Sequence, residues 1–90
     1  MLQMRPNCEC CDRDLPADQE SAFICSFECT YCGDCAVRIL ELVCPNCGGD
    51  LVPRPSRPQA QLTKYPASTK RVSRSEPCRS PKEAVLVQIG

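Results

Sequence analysis

The sequence predicts a small metal-stapled α+β module followed by a tail with no core of its own. Three observations lead there. Ten cysteines stand in 90 residues, nine of them within residues 8–47; bulky apolar side chains are scarce; and composition and charge both switch near Pro53. With no Trp, two Phe and two Tyr, burial cannot offset the roughly 1–2 kcal/mol of backbone entropy lost per ordered residue. Chains this short bury a smaller fraction of their surface than larger ones do, so cross-links must supply the difference.

The sulfurs are the obvious cross-links, and their spacing is regular. Cys8 and Cys11 form a Cys-x2-Cys pair, Cys25 and Cys29 a Cys-x3-Cys pair, and Cys32/Cys35 and Cys44/Cys47 two further Cys-x2-Cys pairs. A Cys-x2-Cys turn presents two thiolates on one side of a tight loop. That suits two corners of a tetrahedral zinc site with Zn–S bonds of about 2.3 Å. Four pairs make two closed sites of four thiolates, so two structural zinc ions are expected. A catalytic zinc keeps one position open for water, and a chain without histidine and with surplus thiolates points away from that.

Disulfides and an iron–sulfur cluster are the competing readings. The opening stretch MLQMRPNCEC shows no charged segment followed by an apolar run, hence no visible secretory signal. A cytoplasmic chain with reduced thiols is the expectation, and there such a pattern favours metal over disulfides. No stretch approaches the roughly 18 apolar residues of a membrane span. Cys29, Cys32 and Cys35 followed by Cys44-Pro45 partly echo a ferredoxin run, but the fourth cysteine comes nine residues after the third instead of four.

One helix is predicted, about residues 35–43, with Asp34 as its N-cap. Ala36, Val37, Ile39, Leu40 and Val43 recur there at helical spacing, and their face is expected to pack on Phe23, Ile24 and Leu15. The segment before it is read as loops and a short strand, since Gly33, Thr30 and Tyr31 disfavour a continuous helix. Two cysteines fall outside the pairs. Cys10, beside Glu9 and Asp12, is read as a bystander thiol or an alternate ligand. Cys78, beside Arg79, is read as an exposed thiol without a task, though its cationic neighbours favour the thiolate and a mixed disulfide is conceivable.

The domain division follows the charge. Residues 1–52, the cysteine-rich zinc-binding module, carry three basic and nine acidic side chains, a balance of −6; residues 53–90 carry eight basic and two acidic, +6. Six prolines among Ser, Thr, Gln and basic residues mark 53–83 as a disordered, partly polyproline-like tail. The closing AVLVQIG is a short β-prone apolar run that could dock on the module or on a partner, or stand idle.

The order of the pairs resembles a RING-type zinc domain. The resemblance implies a cross-braced, treble-clef-like fold in which Cys8, Cys11, Cys32 and Cys35 hold one zinc and Cys25, Cys29, Cys44 and Cys47 the other. RPNCECCDRDLP, ICSFECTYCGDCA and CPNCGGDLV are similar to a bacterial family of short cysteine-rich proteins, the domain-of-unknown-function 1272 family, over about residues 1–52. That likeness implies a small zinc protein and supplies no activity. The ubiquitin-ligase positions of RING domains are poorly matched, with Glu9 where an apolar residue is usual and Gly48 where a cation is usual; Pro45 alone fits.

Four functions remain, the first preferred: a structural zinc module for contact with a protein partner; nucleic-acid binding through the basic tail; a RING-type ligase-like adaptor; and a redox or metal-handling protein. Zinc–thiolate sites would take the module to about −10, which repels phosphate, so nucleic acid is expected to meet only the tail. No catalytic constellation is present: there is no His to act as base and no recognisable nucleophile motif. The expectation is therefore that the chain is not an enzyme.

Overall fold

The computed structural model describes residues 2–80. Three short strands, β1 (Ala22–Ile24), β2 (Thr30–Cys32) and β3 (Val52–Pro53), form an antiparallel sheet in the order β2-β1-β3. Phe23 lies opposite Tyr31 on one side and Pro53 on the other. Pro53 sits in an edge strand, the place where a missing N–H costs no ladder bond. The helical segment α1 (Cys35–Ile39) is wound as a π-helix, with Leu40 N–H bonded to Cys35 C=O at 2.9 Å. One helical turn, α2 (Gln59–Leu62), follows the sheet.

The predicted helix is corrected in three respects. It ends at Ile39 instead of about 43, because Glu41 and Leu42 both adopt left-handed backbone (φ 51° and 63°), and an isolated bridge then pairs Val43 with Asp50. This reversal turns Cys44 back toward the sheet, which a further helical turn would carry away from it. Asp34 occupies the N-cap position as predicted, but with helical backbone and no side-chain cap bond; its carboxylate lies 3.3 Å from Arg13 Nη1. Only Ala36 and Leu40 of the proposed apolar face are buried, while Val37 and Ile39 are exposed.

The core is small and five of its eleven residues are cysteines: Leu15, Ala22, Tyr31, Ala36, Leu40 and Leu51 pack with Cys8, Cys25, Cys32, Cys35 and Cys44. Ile24 and Leu15 are buried as expected, and Phe23 packs against the edge of this core.

The segment beyond Pro53, read from composition as disordered, is laid along the module as far as the structure describes it. Arg54 is buried and donates from Nη1 to Arg5 C=O (2.8 Å) and from Nη2 to Leu15 C=O (3.1 Å). Arg57 donates to Leu2 and Tyr65 carbonyls, and Val72 exchanges hydrogen bonds with the side chain of the buried Asn7. Composition measures what a segment can bury by itself, and here the partners come from the first half. Residues 81–90, which include the AVLVQIG run and the end of the expected tail, lie outside the described residues. Among the described residues, no helix is long and apolar enough to cross a membrane.

Candidate metal centres

Each cysteine turn is built by backbone hydrogen bonds that also reach sulfur. Cys8 C=O accepts from Asp12 N–H (2.9 Å) and Cys44 C=O from Gly48 N–H (2.8 Å), so these two Cys-x2-Cys loops close in the same way. The closing residue is left-handed in both, Asp12 at φ 64° and Gly48 at φ 77°. Asp and Gly tolerate that region better than most residues. The turn from Cys25 to Cys29 closes with Glu28 N–H on Cys25 C=O, again with left-handed backbone at Glu28. Sulfur accepts an N–H in each loop: Cys8 from Cys10, Cys25 from Phe27, Cys32 from Cys35 and Cys47 from Gly49, at 3.4–3.5 Å.

The fold brings the pairs together in an interleaved order. The sulfurs of Cys8, Cys11, Cys32 and Cys35 all lie within 4.8 Å of one another, and so do those of Cys25, Cys44 and Cys47. Either group could hold a metal ion. Cys29 stands outside the second circle: it neighbours Cys25 closely enough to perturb it, and its sulfur accepts from Asn46 Nδ2 at 3.5 Å. The sheet explains the convergence. β2 carries Cys32 at its end and antiparallel β1 leads into Cys25, so one hairpin feeds both groups.

Burial makes two of these thiols, Cys29 and Cys35, reluctant to ionise. It pushes Cys29 up to about 12, with the neighbouring Cys25 and Cys44 adding to the rise and the Asn46 amide opposing it. Cys35 is likewise raised, by burial and by the sulfurs of Cys32, Cys8 and Cys11. Burial acts on Cys25 in the same sense, but N–H groups of Phe27 and Cys29 outweigh it and the net shift is downward. Tyr31 is held strongly in its protonated form by burial and by Cys44, whose sulfur is 3.7 Å from the phenol oxygen.

Two residues that the sequence did not single out tie the groups together. Glu9, 4% exposed, accepts from Arg5 Nη1 and Thr30 N–H at 2.9 Å and from Asn46 Nδ2 at 3.2 Å. Asn46, between Cys44 and Cys47, also donates to Tyr31 Oη at 3.1 Å. A charged residue inside a Cys-x-Cys-Cys turn is a faint signal at most, and nothing local distinguishes Asn46.

Cys10 and Cys78 form a disulfide, which corrects the reading of both as thiols without a task. The general expectation that every thiol stays reduced is corrected for this pair; the other eight are free. Spacing could not reveal the bond, because 68 residues separate its ends. Beside it Arg71 bonds Asp12 and Asp14 at 2.9 and 2.8 Å, and Arg74 Nε bonds Asn46 Oδ1 at 2.9 Å.

Comparison with known proteins places the chain without giving it an activity. No solved structure matches it. An uncharacterized protein of Rhizobium meliloti (strain 1021) is 62% identical over 78 residues, covering 87% of this chain and 93% of that protein. The family model described as protein of unknown function (DUF1272) matches residues 1–57, the span that holds both cysteine groups and the sheet. With more than half of the chain matched and a relative of this identity, the chain belongs to the DUF1272 family of proteins of unknown function.

Proposed function

We propose that the chain is a structural two-zinc module that presents a rigid surface to a protein partner. One observation carries the metal assignment: Cys11 and Cys32 sulfurs, 21 residues apart in the chain, stand 3.7 Å from each other without a disulfide. Zn–S bonds of about 2.3 Å at tetrahedral angles set sulfurs about 3.8 Å apart. Four neutral thiols gain little from such crowding, whereas four thiolates around a divalent cation require it. In the second site Cys25, Cys44 and Cys47 supply three thiolates and Cys29, beside Cys25, the fourth. The interleaved order supports the RING-like cross-brace, in which each ion closes a long loop. No catalytic step belongs to this reading, and a cytoplasmic setting accords with the reduced thiols it requires.

The partner surface is the exposed apolar side chains that the small core leaves over. Phe27 is 71% exposed at the tip of the Cys25–Cys29 turn, and Val37, Leu42 and Val52 are also exposed. Nucleic-acid binding through the tail draws less support, because Arg54, Arg57, Arg71 and Arg74 already bond groups within the chain.

Native mass spectrometry tests the metal reading directly. Two zinc ions per chain are expected, and their removal by a chelator should collapse the chemical-shift dispersion of the amide NMR spectrum. Fewer than two ions, or an unchanged spectrum after stripping, overturns it. For the partner, a pull-down that loses a bound protein on Phe27→Ser while stability stays within about 0.5 kcal/mol supports the surface.

A further inference from the structure

The Cys10–Cys78 disulfide joins two segments that meet at the metal-site loops, and a continuous line of polar contacts runs from it to the second cysteine group. Arg74 Nη1 lies 3.5 Å from Cys78 Sγ. The same guanidinium holds Asn46 Oδ1 through Nε, and Arg74 N–H donates to Glu9 C=O at 3.0 Å. With its oxygen fixed, the Asn46 amide turns Nδ2 toward Cys29 Sγ, Tyr31 Oη and Glu9 Oε1. Tyr31 Oη in turn touches Cys44 Sγ. Donors around metal-bound thiolates stabilise their charge and slow loss of the ion.

We infer that Cys10–Cys78 is a reversible thiol–disulfide site, taking a small-molecule thiol as co-reactant, whose closed form locks the ion into the Cys25/Cys29/Cys44/Cys47 site. The inference rests on the zinc reading above. Arg74 also decides the chemistry of opening. An incoming thiolate attacks Cys10 Sγ, and the S–S bond breaks with its electron pair going to Cys78 sulfur beside the guanidinium, which stabilises that leaving thiolate. A second small thiol attacks the outer sulfur of the mixed disulfide, releasing Cys10 as thiol and the co-reactant as its oxidised dimer. The protein gains two protons and two electrons, and the two co-reactant thiols lose them. Oxidised glutathione runs the sequence backward.

Opening removes the covalent tie that holds residues 71–78 over Asn46. What remains there is noncovalent: the exposed pairing of Arg71 with Asp12 and Asp14, the two hydrogen bonds between Val72 and the Asn7 side chain, and Arg74 N–H on Glu9 C=O. Without the covalent tie these contacts open more often, and each opening frees Asn46 and takes the oriented donor from Cys29. The Cys8/Cys11/Cys32/Cys35 group receives no bond from Asn46 or Arg74; it meets the latch only through Cys10 N–H, a backbone donor to Cys8 Sγ in a turn that Asp12 N–H closes on Cys8 C=O, so its ion should respond less.

The test uses the full chain loaded with zinc, poised with oxidised or reduced glutathione, freed of glutathione, and mixed with a chromophoric chelator. Loading is checked first by native mass spectrometry, and a chain that holds no zinc in either state overturns the metal reading itself. If two ions are held, the oxidised chain should release both slowly. The reduced chain and Cys78→Ser should release one of the two about tenfold faster, the equivalent of one lost hydrogen bond to a charged group. Arg74→Gln should do so with the disulfide intact. Two ions held but released with the same time course in both redox states overturns the latch alone, as does equal acceleration of both ions or an Arg74→Gln chain that behaves like wild type.

Discussion

Single residues hold this fold at positions where a larger protein would use a core. Glu9 is buried; its carboxylate accepts from Arg5, Thr30 and Asn46, and its backbone bonds Thr30 and Arg74. Glu9→Ala leaves Arg5, Thr30 N–H and one Asn46 donor without acceptors, and should cost about 2–3 kcal/mol in urea unfolding of the zinc-loaded chain. Glu9→Gln, which keeps an acceptor oxygen, should cost less. Arg54 works as a fork: its buried guanidinium joins Arg5 and Leu15 carbonyls, so its charge serves backbone satisfaction and not a partner. Burial lowers its pKa, yet an arginine stays charged throughout.

At the scale of the element, the loops carry more information than the strands or helices. Gly48 closes the last Cys-x2-Cys turn at φ 77°, and a Cβ there would meet nothing within 4 Å. Gly48→Ala should nevertheless cost about 1–2 kcal/mol, because the strain of left-handed backbone is local and independent of space. Gly33→Ala is the control: its Cβ would sit 3.7 Å from Phe23 Cε1, an ordinary contact, and stability should be unchanged. The reversal after α1 carries similar strain at Glu41. Since that side chain is exposed, Glu41→Gly should raise the urea midpoint by relieving about 1 kcal/mol.

For the whole molecule, pH acts in opposite senses on the empty and the loaded chain. Cys29 titrates near 12 in the fold against an ordinary 9.0, so the folded state keeps a proton that the unfolded state gives up first. That stability is fully present below pH 9 and is lost as pH rises toward 12. The metal-free chain should therefore weaken toward alkali over this window, as circular dichroism would register. Loading reverses the sign, because each ion must displace thiol protons: chelator competition should show zinc affinity falling by about tenfold or more per unit of acidification. The charge halves also meet at this scale, with Arg71 on Asp12 and Asp14 neutralising part of the acidic module.

Much of this was legible in sequence order alone. Pair spacing, the poverty of apolar side chains and the placing of charge indicated that cysteines replace a core, and they named the eight residues now gathered in and around two groups. Each of those inferences depends on separations of a few residues, where covalent geometry limits what the chain can do. Three features needed tertiary structure: the convergence of Cys11 and Cys32, the Glu9–Asn46 bridge between groups, and the bond from Cys10 to Cys78. All three join atoms distant along the chain, and Cys78 reaches Cys10 only because Arg54, Arg57 and Val72 find backbone and side-chain partners on the first half. A segment too polar to fold alone was given its path by a surface that its own composition does not describe.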